Sequence, residues 1–179
     1  MEFSKRDLDV PYSDLPDPPA PPVPRVTTVD WDEYLGRVYL YWIPHEWVAL
    51  RAEYQYEEFK RDQEFGLGLK EVDTHKIPLG INFSHPSGLI ALFQATYYDQ
   101  RGDFLPQGTE PLSRNFLSGD DQFWVIDAAV SYRLPKRYGF ITFGAKNLFD
   151  ESFRYYDTDI VNPTIQPDRF FFGKVTLDF

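Results

Sequence analysis

The sequence predicts an all-β chain, an antiparallel meander of about seven long strands that forms a partial transmembrane β-barrel. Apolar and polar residues alternate along most of the chain after residue 32, which is the repeat of a strand with two different faces. The predicted strands run for about 10–13 residues, which suits a tilted bilayer crossing better than the roughly 5–6 residues of most globular strands. Short and long connections also alternate between the strands, as they do in outer-membrane barrels.

Residues 1–31 differ in composition from the rest and are predicted to be a proline-rich linker or loop. Proline favours extended backbone and cannot donate a hydrogen bond within the centre of a sheet. The prolines of this stretch are Pro11, Pro16, Pro18, Pro19, Pro21, Pro22 and Pro24. The strands are therefore predicted within residues 32–179, which form the C-terminal part of the barrel.

Seven segments show the periodicity of strands. In chain order they are about Tyr34–Ile43, Trp47–Phe59, Thr74–Ser84, Leu89–Asp99, Phe123–Leu134, Phe140–Phe149 and Arg169–Phe179. In the second segment one face contains Leu50 and Ala52, and the other contains Arg51 and Glu53. Ionised groups at every second position do not fit an unpaired place in an apolar core. This face is therefore expected to meet water, either outside a sandwich or inside a wide barrel.

The connections between the predicted strands are of two kinds. The short ones are Pro44–Glu46, His85–Gly88 and Pro135–Gly139, and the long ones are residues 61–73, 101–121 and 151–168. The long connections are rich in Asp, Pro and Gly, which favour turns and loops. Short turns at one end and long loops at the other place the C-terminus at the short-turn, periplasmic end of a barrel.

Aromatic residues form two groups at opposite ends of the predicted strands. Trp42, Trp47 and Tyr132 lie beside the short turns, whereas Trp124 lies beside the long loops. In a membrane barrel such residues lie at the two lipid–water interfaces, so these four are predicted to be interfacial aromatics. An aromatic-rich sandwich core is the alternative, but the strand centres carry mainly Ala, Val, Leu and Ile.

The last predicted strand ends the sequence on an aromatic residue. Apolar or small residues occupy alternate positions, namely Phe171, Gly173, Val175, Leu177 and Phe179. A final strand with one apolar face is typical of a barrel whose outer surface contacts lipid.

Composition disfavours several other functions. The net charge of −10 makes nucleic acid an unsuitable partner. The chain has no cysteine, and its three histidines show no metal-ligand spacing. No cofactor, metal site or catalytic constellation is therefore predicted, and the chain is not expected to be an enzyme. Residues 1–7 lack the apolar segment of a signal peptide, so an exported barrel is expected to be a fragment of a longer precursor.

A short motif near the end of the chain resembles a known family. Asn147, Leu148, Phe149 and Asp150 lie one hairpin before the aromatic terminus. With the strand Trp124–Tyr132, this ending resembles the last hairpin of TonB-dependent outer-membrane receptors. The terminal alternation also resembles the signal that the barrel-assembly machinery recognises.

This resemblance implies a receptor in the bacterial outer membrane that imports a ferric chelate, cobalamin or an oligosaccharide. Members of the family have a barrel of about 22 strands with a plug inside it, and a TonB-type protein supplies energy through the plug. Seven strands would make only part of such a barrel, because open edges are not viable in lipid. The expected partners are therefore the lipid bilayer, the missing N-terminal strands and plug, the barrel-assembly machinery and the TonB-type protein.

Two other classes of protein remain open from the sequence. A soluble ligand-binding β-barrel or sandwich would turn the apolar faces inward and would be a monomer without detergent. A complete small outer-membrane barrel would need an eighth strand from residues 2–10. In that stretch Lys5, Arg6 and Asp7 make a poor lipid-facing strand.

Overall fold

The computed structural model describes residues 1–14, 25–61, 69–104, 117–153 and 168–177. In these residues eight strands form one antiparallel sheet whose spatial order follows the sequence. The strands are β1 (Glu2–Asp14), β2 (Arg25–His45), β3 (Val48–Arg61), β4 (Leu69–Ser84), β5 (Leu89–Phe104), β6 (Leu117–Arg133), β7 (Gly139–Lys146) and β8 (Phe170–Leu177). The described part contains no α-helix and one short 3₁₀ turn, Pro135–Arg137. The predicted all-β antiparallel meander is confirmed, with eight strands instead of about seven.

The additional strand, β1, lies in the stretch predicted to be a linker or loop. It pairs with β2 from Glu2 opposite Arg37 to Asp14 opposite Arg25. Because β1 is at the edge of the sheet, a proline such as Pro11 can turn its missing N–H away from the neighbouring strand. A proline-containing stretch can therefore still form an edge strand. The prolines from residue 16 to residue 24 lie outside the described residues.

The other strands match the predicted segments at their centres and differ at their ends. β4 begins at Leu69, β5 continues to Phe104 and β6 begins at Leu117. Each of these strands extends into a predicted long loop, because its backbone pairing with the neighbouring strand continues there. The residues in these extensions are mostly polar, so no alternation of apolar residues marks them as strands. β7 is shorter than predicted and ends at Lys146, since Asn147 adopts a left-handed φ of 47°.

The strand register joins the predicted apolar faces into one continuous face. Leu50 on β3 lies opposite Trp42 on β2 and Ile81 on β4. Ile81 lies opposite Phe93 on β5, which lies opposite Ala128 on β6. Because directly paired residues share a face, the apolar faces of these five strands coincide.

Exposure on the two faces is the reverse of that in a soluble sheet. On the apolar face, Leu40 is 66% exposed, Phe143 is 68% exposed and Val175 is 63% exposed. The buried polar side chains of the strands are Glu53, Arg61, Thr74, Thr96, Gln100 and Ser131, and the register places all six on the opposite, polar face.

The short turns are offset from one strand pair to the next. Val48, Phe83 and Val130 lie in one row across the sheet. The turn after β2 lies one residue from this row along the chain, the turn after β4 lies two residues from it, and the turn after β6 lies four residues from it. An offset of about one residue per strand is the stagger that accompanies strand tilt in barrels. The sheet is nevertheless open, since the described residues of β1 and β8 are not paired with each other.

Gly139 at the start of β7 is a position where the backbone requires glycine. Its φ of 130° is rarely adopted by residues with a side chain, and a Cβ atom there would overlap the carbonyl oxygen of Thr176. Gly139→Ala is therefore expected to reduce the free energy of unfolding by more than about 1 kcal/mol, measured by urea titration. Gly80→Ala is the matched control, because its Cβ would meet only ordinary contacts, the nearest at 3.7 Å from Arg51. Equal losses for both variants would contradict the prediction.

Candidate functional site

The apolar face carries a band without charged residues, called the apolar band below. Taking every second residue, it runs from Val48 to Tyr56 on β3, from Leu89 to Tyr97 on β5 and from Trp124 to Tyr132 on β6. Each stretch rises about 26 Å along its strand. Such a wide uncharged surface on the exposed side of a sheet needs an apolar covering, because soluble proteins rarely expose large contiguous apolar patches.

Three of the four predicted interfacial aromatics lie on this face. Trp42 is 61% exposed, Trp124 is 47% exposed and Tyr132 is 45% exposed. Trp124 packs against Tyr97 of β5 with ring centroids 5.2 Å apart. Trp42 and Tyr132 lie toward the short turns and Trp124 toward the long connections, as the sequence predicted.

Trp47 is placed differently from the other three. It lies in the turn between β2 and β3 and is half-buried. Its ring meets His45 and His85 edge-on, with centroid distances of 5.0 Å and 4.7 Å. The indole ring therefore connects the turn after β2 with the turn after β4. The alternation of residues along a single strand cannot predict such a contact between turns.

The polar face holds a ladder of hydrogen-bonded side chains. Arg37 pairs with the buried carboxylate of Glu53. Arg51 passes over Gly80 of β4, and its Nη2 donates to Oε1 of Gln94 on β5 at 2.9 Å. Burial of these groups is tolerated because each has a partner, and buried charged or polar groups without partners are costly.

The ladder continues along β4, β5 and β6. Gln100 Nε2 donates to Thr74 Oγ1 at 2.9 Å, and the Lys76 ammonium lies 5.4 Å from the ring centroid of Tyr98. Tyr98 in turn stacks on Phe123 with centroids 4.9 Å apart. The polar face therefore presents both hydrogen-bonding groups and aromatic rings.

The family motif, residues 147–150, forms a clasp after β7. The side chain of Asn147 is 2% exposed, and its amide accepts from the Glu151 N–H and donates to the Glu151 carbonyl oxygen, both at 2.9 Å. The Asn147 N–H donates to Asp127 Oδ1 of β6 at 2.9 Å, while the Leu148 N–H donates to the Ile126 carbonyl oxygen at 2.7 Å. The clasp thus fastens the end of β7 to β6.

The second half of the motif fastens the start of β8. Asp150 adopts a φ of 59°, and its Oδ1 accepts from the Arg169 N–H at 3.0 Å. Phe149 is 70% exposed, whereas Phe153 stacks on Phe123 with centroids 4.3 Å apart. Sequence reasoning used this motif only as a family marker, because strand pairing brings Asp127 and Arg169 to it from distant positions.

The predicted assembly-signal residues lie on the apolar face of β8 as far as the structure describes them. Phe171 lies opposite Ala145, and Gly173, Val175 and Leu177 continue the same face. Phe171, Val175 and Leu177 are all more than half exposed. Phe179 lies outside the described residues.

Charged residues begin where the apolar band ends toward the long connections. Glu58 follows Tyr56 on the same face of β3 and pairs with Lys60. The ammonium of Lys60 lowers the pKa of the Glu58 carboxyl, and Glu58 raises the pKa of Lys60. Such exposed pairs contribute little to stability, and their significance here is that they mark the edge of the band.

Within the described ranges, no three His, Cys, Asp or Glu side chains are placed to hold a metal ion. The part of the chain that the structure describes contains no helix of the length and apolar character that a membrane crossing requires. Comparison with known proteins gives no relative, since no family model, curated protein or solved structure matches the chain.

Proposed function

We propose that this chain is the C-terminal barrel portion of a TonB-dependent-type receptor, seated in the bacterial outer membrane. The observation that carries the proposal is the reversed polarity of the sheet, in which Leu40 is 66% exposed while Glu53 is 4% exposed. In water this arrangement would cost about 25 cal/mol of free energy for each Å² of apolar surface left exposed. In a bilayer it places apolar groups against lipid and polar groups against a wet interior.

The dimensions of the sheet support a bilayer crossing. At a tilt of about 40°, the apolar band would cover about 20 Å of membrane thickness, close to the roughly 25 Å apolar band of outer-membrane barrels. The offset of the short turns fits such a tilt, and aromatic residues mark both ends of the band.

A soluble ligand-binding barrel is less well supported. That class requires the apolar faces to be buried, whereas in the described strands the buried polar side chains lie on the polar face and the apolar face is exposed.

The receptor class implies the partners and cargo of the chain. Lipid would cover the apolar face, and further N-terminal barrel strands and a plug would complete the pore. The barrel-assembly machinery would insert the protein, and a TonB-type protein would energise it through the plug. The cargo would be a ferric chelate, cobalamin or an oligosaccharide. The polar face would contact the plug or the solute. The proposed function includes neither catalysis nor binding of nucleic acid.

Quenching of tryptophan fluorescence by brominated phospholipids tests the membrane seating. Single-tryptophan variants would be refolded into vesicles whose acyl chains carry bromine. Trp124, at one end of the apolar band, is expected to be strongly quenched because its ring would contact lipid at the membrane interface. Trp31 is the matched control, since it lies on the polar face and packs against Phe59 with centroids 5.6 Å apart. Equal quenching of both, or none of either, would contradict the proposal.

A complete eight-stranded outer-membrane barrel is the second candidate, and the strand β1 is the observation that favours it. Such a barrel requires β1 to pair with β8, which the described residues do not show. Electrophoresis in dodecyl sulfate separates the two candidates. A closed barrel of this chain alone would migrate faster unheated than heated, whereas a barrel portion is expected to migrate identically in both states.

A further inference from the structure

A cavity of about 650 Å³ lies at the short-turn end of the sheet, beside the turns that follow β2, β4 and β6. Trp47 lines it from the first of these turns, His85 and Ser87 line it from the second, and Arg133 and Lys136 line it from the end of β6 and the third turn. Its volume is within the range of small-molecule sites in proteins. Three separate turns thus contribute polar side chains to one space, called the turn cavity below.

The turn cavity contains two cations that lack an ionic partner. Among the described residues, neither Arg133 nor Lys136 forms an ion pair, whereas Lys60 and Arg101 toward the long connections both pair with carboxylates. Glu46 is the one acidic residue among the described residues that line the cavity. The described lining therefore has an excess of positive charge that no protein carboxylate neutralises.

Charge is also distributed unequally between the two ends of the predicted strands. The three predicted long connections together contain 12 acidic and 5 basic residues, whereas the three short turns contain two basic residues and one acidic residue. Arg133 directly precedes the last of these turns and adds a further cation. An anion is therefore repelled from the long-connection end and attracted to the short-turn end.

The second and third turns supply groups that suit an anionic ligand. Lys136 has a φ of 56°, which glycine or asparagine would adopt more easily, so the backbone gives no reason for a lysine there. The Ser87 N–H donates to Nδ1 of His85 at 3.2 Å. The proton of the neutral imidazole is therefore on Nε2, which makes that nitrogen a hydrogen-bond donor.

Apolar residues complete the lining of the turn cavity. Ile90 and Leu134 line it beside the cations, and so does Tyr132, which belongs to the apolar band and is 45% exposed. The cavity therefore adjoins the surface that is proposed to contact lipid. A ligand that suits both the cations and the apolar lining is an amphipathic anion, with a phosphate at one end and hydrocarbon at the other.

We propose that the turn cavity binds the headgroup of an anionic phospholipid, with Arg133 and Lys136 beside its phosphate. This inference rests on the proposed function, which surrounds the sheet with lipid but specifies no particular lipid. Under that function the short turns lie at the periplasmic surface, so the lipid belongs to the periplasmic leaflet. Basic pockets at membrane surfaces recognise anionic headgroups in this way, and each basic residue strengthens binding about fivefold.

Quenching of Trp47 fluorescence by brominated lipids tests the proposal, because Trp47 lines the turn cavity. The full chain with Trp31→Phe, Trp42→Phe and Trp124→Phe would be refolded into phosphatidylcholine vesicles. A minor fraction of the lipid, either phosphatidylglycerol or phosphatidylcholine, would carry bromine near the carboxyl end of its acyl chains. Quenching at equal mole fractions is expected to show that phosphatidylglycerol binds beside Trp47 at least about fivefold more strongly than phosphatidylcholine.

Neutralising both cations, by Arg133→Gln with Lys136→Gln, is expected to abolish this preference. The matched control is Lys60→Gln with Arg101→Gln, which removes the same charge toward the long connections and is expected to retain the preference. Arg133→Lys with Lys136→Arg keeps both charges in the cavity and is also expected to retain it. An equal preference in the neutralised pair and in the matched control, or no preference in the natural pair, would overturn the proposal.

A soluble anion as the occupant is tested by adding inorganic phosphate at constant ionic strength. Phosphate is expected to leave the quenching by phosphatidylglycerol unchanged, because the apolar lining favours a lipid. Reversal of the quenching by phosphate would overturn the choice of a lipid. Equal quenching of Trp47 by both lipids, with strong quenching of Trp124 in its own single-tryptophan variant, would refute only the headgroup site. Absence of quenching of Trp124 would refute the membrane seating itself.

Discussion

Ala52→Arg is expected to reduce the free energy of unfolding in a phospholipid bilayer by about 2–4 kcal/mol. Ala52 lies at the centre of the apolar band on β3, in one row with Leu40 and Leu79. An arginine there would bring a guanidinium to the bilayer midplane, where the described band has no acidic side chain to pair with it. Urea titration of the chain refolded in vesicles measures the loss.

Gln55→Arg on the same strand is the matched control for Ala52→Arg. Gln55 lies on the polar face, where its Nε2 donates to the Glu53 carboxylate. A cation at this position would have water and the Glu53 carboxylate beside it, but Arg37 and Lys76 lie directly opposite on the neighbouring strands. The expected loss is therefore about 1 kcal/mol, below that of Ala52→Arg. If the two variants lost equal stability, the assignment of lipid to one face and water to the other would be wrong.

Asn147→Ala is expected to reduce the free energy of unfolding by about 2–3 kcal/mol. The substitution removes both hydrogen bonds between the Asn147 amide and Glu151, and it leaves the N–H and the carbonyl oxygen of Glu151 without these partners. It also places alanine at a φ of 47°, which asparagine tolerates better than alanine does. Thermal unfolding in detergent micelles, followed by circular dichroism, measures the change.

Asn147→Gly separates the two causes of that loss. Glycine adopts the left-handed backbone without strain but lacks the side-chain amide, so it is expected to recover at most about 1 kcal/mol relative to alanine. Full recovery with glycine would mean that the backbone conformation, and not the hydrogen bonding, is what the clasp requires. Full tolerance of alanine would contradict a structural role for the motif altogether.

The positions of the strands and the identity of their faces could be predicted wherever polarity alternates. On β3, Leu50, Ala52 and Tyr54 alternate with Arg51 and Glu53, so the polarity of each side chain indicates its face. Antiparallel pairing of neighbours then brought the apolar faces together. The stretches that lack this signal are β1 and the extensions of β4, β5 and β6. They are predicted to be linker or loops, because prolines crowd residues 1–31 and Asp, Pro and Gly are frequent in the long connections.

Contacts that depend on register could not be predicted from the sequence. The Asn147 N–H donates to Asp127, which is 20 residues away and meets it only through the pairing of β6 with β7. Trp47 was grouped with Trp42 because both flank the first short turn, but its ring contacts depend on His85 in the next turn. The polarity of a side chain indicates which environment it occupies. Which residue it contacts on the neighbouring strand depends on the register of the two strands.

The strictly sequential order of the strands has a consequence for assembly. Each described strand is hydrogen-bonded only to the strands before and after it in the chain, so every β-ladder closes a loop of short sequence separation. Low contact order lowers the entropic barrier to forming each pair, as in repeat proteins that grow from one unit to the next. Hairpins can therefore be added one at a time at either end of the sheet, which makes the hairpin the natural unit by which such a sheet would lengthen or shorten during evolution.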